Sequence, residues 1–325
     1  MAKARRALIC GIGGQDGSLL AVHLLGRGYE VWGTSRDSQI SRFSTLQELG
    51  VKDSVTLLSM APNDFRSVLS ALTKSNADEV YFLAAQSSVG LSFEQPVETL
   101  ESITSGTLNL LEAIRFLERP IRIYHASSSE CFGELGHVPA TEETPFRPRS
   151  PYAVAKASAH WLVANYRDAY GLFACNGILF NHESQFRPER FVTQKIVSAA
   201  ARIVNGSGET LTLGRLDVVR DWGWAEEYVD AMWRMLQQDV PDDYIVATGE
   251  ANSLADFVRE AFADHGMDWN DHVKTHRDQY RPADIAWSCG DPSKARVSLG
   301  WEPRIRMRGV IERMSKALME KTARD

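Results

Sequence analysis

Short apolar runs of buried-strand length recur along the first 180 residues, and stretches of helical apolar spacing lie between them. The runs predict strands at 7–10, 30–34, 55–58, 78–85, 121–126 and 173–179. Between the first two, Leu19, Leu20, Val22, Leu24 and Leu25 repeat with helical period and stop at Gly26 and Gly28. Further helices are predicted at 64–72, 96–117 and 151–170. Regular strand–helix alternation predicts an α/β fold with a parallel, doubly wound sheet of Rossmann type.

After residue 180 the texture changes. The segment 181–195 is dense in hydrogen-bonding side chains, and a helix is predicted at 196–204. A strand, a charged turn and a helix follow over 211–236, then a strand at 244–247 and a helix at 254–265. A polar segment at 276–285 and a helix at 308–321 close the chain. This half reads as a smaller substrate-binding domain with polar loops facing the first. The expected division is 1–180 and 181–325, with about 215–238 packing back on the first domain.

Two stretches carry chemistry. GIGGQDG places Gly11, Gly14 and Gly17 between the first strand and the first helix. That is the context of a dinucleotide loop, in which glycines let the backbone approach a pyrophosphate seated on the helix N-terminus. Further along, Ser128, Ser129 and Glu130 follow a strand, where a parallel sheet presents active-site groups. Tyr152 and Lys156 are four apart, so on a helix they share one face. An ammonium beside a phenol favours the phenolate, and Lys156 is expected to lower the Tyr152 pKa towards that of a general base.

Composition narrows the function. Of 325 residues, 44% are hydrophobic and 24% charged, as in ordinary globular proteins. A net charge of −6 argues against nucleic acid or an anionic membrane as the main partner. No apolar run approaches the roughly 20 residues of a membrane span. Cys10, Cys131, Cys175 and Cys289 show no paired spacing and read as reduced thiols of a cytoplasmic protein. No metal site is expected.

These motifs resemble the extended short-chain dehydrogenase/reductase superfamily and, within it, the GDP-mannose 4,6-dehydratases. The stretches that carry the resemblance are GIGGQDGSLLA, LAAQSSVGLSFEQP, SSSECFG, TPFRPRSPYAVAK, ACNGILFNHES, FVTQKI, RDWG and YRPAD. The tyrosine–lysine pair marks the superfamily, and the glutamate after two hydroxyls together with FNHES points to the dehydratases. The resemblance implies Ser128, in place of the family's threonine, with Glu130, Tyr152 and Lys156 as catalytic residues. It implies cofactor contacts at Gly11, Gly14, Gln15, Asp16 and Gly17, at Arg36, at Leu83, Ala85 and Ser87, and at Tyr152, Lys156, His182 and Arg187. Substrate contacts are implied at Ser87, Ser128, Glu130, Asn181, Val192, Lys195, Arg220, Arg281 and Asp284.

The implied reaction is dehydration of GDP-mannose, or of a related GDP-sugar such as a manno-heptose, with NADP or NAD as the recycled cofactor. A reductase of the GDP-4-keto-6-deoxy sugar and a non-catalytic nucleotide sensor are the alternatives. The implied assembly is a homodimer or homotetramer, and apolar residues on several sides of 96–117, among them Leu108 and Phe116, support it independently. The chain departs from the family pattern at Gly13, Asp37, Glu98, Arg215 and Asp284. Asp37 stands where an arginine would pair with the 2′-phosphate of NADP, and a carboxylate there opposes that phosphate.

Overall fold

The structure, a computed structural model, describes residues 4–280 and 282–322. Arg281, an expected substrate contact, lies outside the described residues.

Six apolar runs form parallel strands: β1 (Arg6–Cys10), β2 (Glu30–Ser35), β3 (Val55–Ser59), β4 (Glu79–Phe82), β5 (Arg122–Ser128) and β6 (Ala174–Leu179). Short strands follow as β7 (Asn181–Glu183), β8 (Leu211–Leu213), β9 (Val219–Arg220) and β10 (Trp222–Trp224), and then β11 (Tyr244–Val246). The main sheet runs β11-β6-β5-β4-β1-β2-β3, all parallel. Its strands are apolar on both faces because helices cover both. The order reverses between β1 and β4, which opens a crevice at the carboxyl ends of the strands.

The return to the sheet extends further than the expected 215–238. Helix Ala225–Met235 packs on helix Gln15–Leu25, but β11 then pairs with β6, and helix Ser293–Leu299 packs on β11. A separate apolar cluster joins helices Val192–Val204, Leu254–Ala263 and Met307–Thr322 beyond the crevice.

The long helix predicted at 96–117 is not continuous. Pro96–Leu100 and Gly106–Leu117 are α-helical, and Glu101–Ser105 is a π-type turn between them. A wide turn adds a residue without breaking the helix, so apolar spacing does not reveal it. The glycine just after it has a packing reason: a Cβ on Gly106 would lie 3.0 Å from the Pro62 ring. Among the described residues no helix is long and apolar enough to cross a membrane.

Candidate active site

The crevice is built from the glycine loop outward. Gly11 has φ +88°, and a Cβ there would lie 3.0 Å from the Ala84 backbone. A Cβ on Gly17 would lie 2.4 Å from the Gly11 carbonyl oxygen. The loop therefore brings β1, β4 and the helix N-terminus closer than any side chain permits. Helix Gln15–Leu25 starts at Gly14 with no side-chain cap, so its first N–H groups face the crevice without a protein acceptor from a cap. A cradle of this kind suits a pyrophosphate.

Asp16 in the first turn is balanced by a cation. Its carboxylate receives His182 Nε2 at 2.9 Å, while His182 Nδ1 donates to the Phe180 carbonyl at 2.7 Å. Burial opposes ionisation of Asp16, but the facing imidazolium overrides it and holds the carboxyl down to about 2. Burial likewise works against a charged His182, yet Asp16 leaves the imidazole raised above its ordinary value. Gln15 donates to the His182 carbonyl and accepts from Ser184, tying the glycine loop to β7.

The catalytic candidates meet at the end of β5. Ser128, Glu130, Tyr152 and Lys156 line one wall, joined by Leu83, Ser87 and Asn181. Helix Pro151–Tyr170 is started by Ser150, whose hydroxyl accepts from the Ala153 amide, with Pro151 at its first position. That start orients Tyr152 and Lys156 together. The lysine is held by a backbone acceptor rather than by the phenol. Lys156 Nζ donates to the Ala126 carbonyl at 2.7 Å and lies 5.9 Å from the Tyr152 ring centre. Burial raises the Tyr152 phenol above its ordinary value, and the neighbouring Ser128 hydroxyl opposes that rise only in part. Burial pushes the Lys156 ammonium down to about 8.

The opposite wall holds Arg187, Val192, Arg220 and Asp284. Arg187 pairs with buried Glu183 at 3.0 Å and lies over the Phe191 ring. Arg220 donates to the Ile285 carbonyl at 2.8 Å and pairs with Asp284 at 3.3 Å. Arg190 and Gln279 also line this wall, and sequence reasoning missed both. Arg190 sits in the polar stretch 181–195, where polarity was the available signal.

Among the expected contacts, Gly11, Gly14, Gln15 and Gly17 of the loop, with Arg36, Ala85 and Lys195, are not in the lining of the cavity itself. Arg36 is exposed and pairs with Glu98 at 3.5 Å, outside the lining of the crevice. Lys195 donates to the Thr212 carbonyl at 2.8 Å. Ala85 packs against the buried group of Ile103, Tyr152, Ala155 and Ala159 behind the wall. The Asp37 carboxylate, one residue after Arg36, accepts the Gln39 and Ile40 amides at 2.9 and 3.1 Å within its own turn. All four cysteines are free and buried. Among the described residues no group of His, Cys, Asp and Glu is placed to hold a metal ion.

The chain matches the family model described as GDP-mannose 4,6 dehydratase over residues 8–314. It is 46% identical over 331 residues to GDP-mannose 4,6 dehydratase 2 of Arabidopsis thaliana, covering 98% of this chain and 88% of that one. It is 42% identical over 335 residues to the GDP-mannose 4,6-dehydratase of Yersinia enterocolitica, covering 93% and 90%. Among solved structures, the Thermus thermophilus UDP-glucose 4-epimerase in complex with NAD superposes with a TM-score of 0.84 at 26% identity, covering 97% and 99%. With a matched model over most of its length and relatives of this identity, the chain belongs to the GDP-mannose 4,6-dehydratase family.

Proposed function

We propose that the protein converts GDP-mannose to GDP-4-keto-6-deoxymannose, recycling a bound NADP, with NAD as its substitute. One observation carries the reading. A second base, the Glu130 carboxylate, lines the same crevice as Ser128, Tyr152 and Lys156. Oxidation of an alcohol needs one base, whereas elimination after it needs a second at a different carbon.

The uncapped helix N-terminus and the glycine cradle suit the cofactor pyrophosphate, with Asp16 and His182 fixing the loop. When bound, NADP would supply hydride transfer between C4 and C6 of the sugar and, in its oxidised form, a positive charge in the crevice. Tyr152 receives the proton of the 4-hydroxyl, and Ser128 holds that oxygen in line. Lys156, anchored on the Ala126 carbonyl, keeps positive charge near the phenol. Glu130 removes the C5 proton, acidified by the 4-ketone, and gives it to the C6 hydroxyl as that group leaves as water. Tyr152 returns its proton to C5. Net redox is zero and one water is lost. Arg220 suits the diphosphate by its planar fork, with Asn181, Val192 and Asp284 beside the sugar nucleotide.

Arg36 on the loop after β2 favours NADP, whose 2′-phosphate it would meet beyond the crevice lining, and Asp37 beside it opposes that phosphate. The four buried free thiols fit a reducing compartment, and we place the protein in the cytoplasm. The exposed apolar residues of the Pro96–Leu117 run and of helix Pro151–Tyr170 fit a twofold homodimer, and the loop after β2 is where a tetramer would extend it. We take 1–180 as the cofactor domain and 181–325 as the nucleotide-sugar domain, with about 215–238, Tyr244–Val246 and Ser293–Leu299 returning to the cofactor side.

The test is incubation with GDP-mannose and catalytic NADP, with NAD in parallel. The expected product is lighter by one water, with no net accumulation of reduced cofactor. Stoichiometric consumption of NADPH with a 4-keto substrate, and no dehydration, would replace this reading with that of a reductase.

A further inference from the structure

The catalytic loop and the substrate wall are joined by one surface carboxylate. Glu134 lies four residues after Glu130, just past Gly133, whose φ of +69° turns the chain out of the site. A Cβ on Gly133 would lie 2.1 Å from the Arg147 carbonyl oxygen, so the turn is fixed. Glu134 then reaches the segment that follows Asp284. Its Oε2 accepts the Ala286 amide at 2.7 Å and its Oε1 the Trp287 amide at 3.2 Å.

That segment is held from its other side by β9. The Val219 amide donates to the Ala286 carbonyl at 2.8 Å, and the Ser288 amide donates to the Val219 carbonyl at 3.1 Å. The next residue of β9 is Arg220, which also grips Ile285 and Asp284. The contact continues downstream of Glu134: His137 lies against the Trp287 ring at 5.7 Å, and the Ala140 amide donates to the Cys289 carbonyl at 2.9 Å. Glu134 is thus the first rung of a ladder between the loop bearing Glu130 and the segment bearing Asp284. Two adjacent amides need two acceptors. A carboxylate supplies both, whereas a glutamine amide has one oxygen and a nitrogen that only donates.

We propose that Glu134 is a positioning residue that holds the nucleotide-sugar side of the crevice, Arg220 with Asp284, at its working distance from the catalytic loop. The inference rests on the dehydratase reading above. The residue touches no reacting atom. Its removal therefore loosens the binding of the nucleotide portion of the substrate rather than slowing the chemical step.

The experiment compares Glu134→Ala and Glu134→Gln with the wild type. Its readouts are amide hydrogen exchange at Ala286 and Trp287, the dissociation constants for GDP and NADP, and steady-state kinetics on GDP-mannose. Glu134 is exposed, so both variants are expected to fold. Glu134→Ala is expected to speed exchange at both amides and to raise KM and the GDP dissociation constant about tenfold, with kcat within about threefold and NADP binding unchanged. Glu134→Gln is expected to fall between. Unchanged exchange overturns the proposal, and so does faster exchange with unchanged GDP affinity. Equal weakening of GDP and NADP also overturns it, because that signals general loosening. If the wild type binds GDP but does not dehydrate GDP-mannose, the functional reading fails alone, and exchange and GDP affinity still decide the role of Glu134. A wild type that does not bind GDP overturns both.

Discussion

At the scale of single residues, the pairing of Ser128 and Glu130 on one wall separates this site from that of a simple alcohol dehydrogenase. Glu130→Gln keeps the size of the side chain and removes its ability to take a proton. It is expected to bind NADP as before and to lose dehydration by at least about 100-fold, the usual scale for a positioned acid–base group. Single-turnover assays check this, and near-normal turnover by the variant would remove Glu130 from the chemistry. The same scale shows where residue-type reasoning ran out. Tyr152 and Lys156 were legible from their spacing, but the 2.7 Å bond from Lys156 to the Ala126 carbonyl was not, because a backbone acceptor leaves no mark in sequence. The partners of Arg36 and Lys195 were not legible for a related reason: long side chains reach several groups, and here they meet Glu98 and the Thr212 carbonyl.

At the scale of elements, the glycine loop and the helix after it act as one part. Gly17 faces the Gly11 carbonyl, and an added methyl would meet backbone at 2.4 Å and 2.7 Å, which cannot rotate away. Gly17→Ala is expected to push the helix off the loop, costing about 1–3 kcal/mol of stability and weakening NADP binding. Gly14→Ala is the control for stability, since its methyl would sit at an ordinary 3.5 Å from the same oxygen. Denaturant unfolding and cofactor titration measure both, and equal stability of the two variants would contradict the argument. The strands that frame this part were the most legible feature of the chain. Apolar runs such as those of β1 and β5 have few other uses in a domain of this size. The short strands β7, β9 and β10 were not legible, because two or three residues are too few to show a period. The π-type turn at Glu101–Ser105 escaped because it leaves the apolar stripe in place.

At the scale of the whole molecule, two helices side by side leave apolar surface uncovered. Phe116 is 69% exposed and Trp161 61% exposed, and Val97 and Leu100 of Pro96–Leu100, Leu108 of Gly106–Leu117 and Val154 of Pro151–Tyr170 are exposed as well. A second copy brought up by a twofold axis would cover this face with itself. Light scattering is expected to give a dimer, and Leu108→Glu with Trp161→Glu a folded monomer; a wild-type monomer would refute the twofold contact. Stability against pH follows from buried histidine. Burial, helped by repulsion from Lys156, holds His125 down to about 3, against 6.5 when unfolded. The unfolded chain therefore binds the extra proton below pH 6.5. The His125 contribution is whole above that pH and is lost as pH falls towards 3, at up to about 1.4 kcal/mol per pH unit. His125→Gln is expected to flatten the acid limb of the stability curve, and an unchanged limb would show that another group sets it. The four thiols, finally, give the molecule its own clocks. Cys10 lies in the middle of the sheet, Cys131 in the catalytic loop, Cys175 in β6 and Cys289 on the ladder below Glu134, all shielded in the native state. A thiol reagent in native conditions will modify each only as fast as its own region opens, so four modification rates resolve which part of the fold yields first.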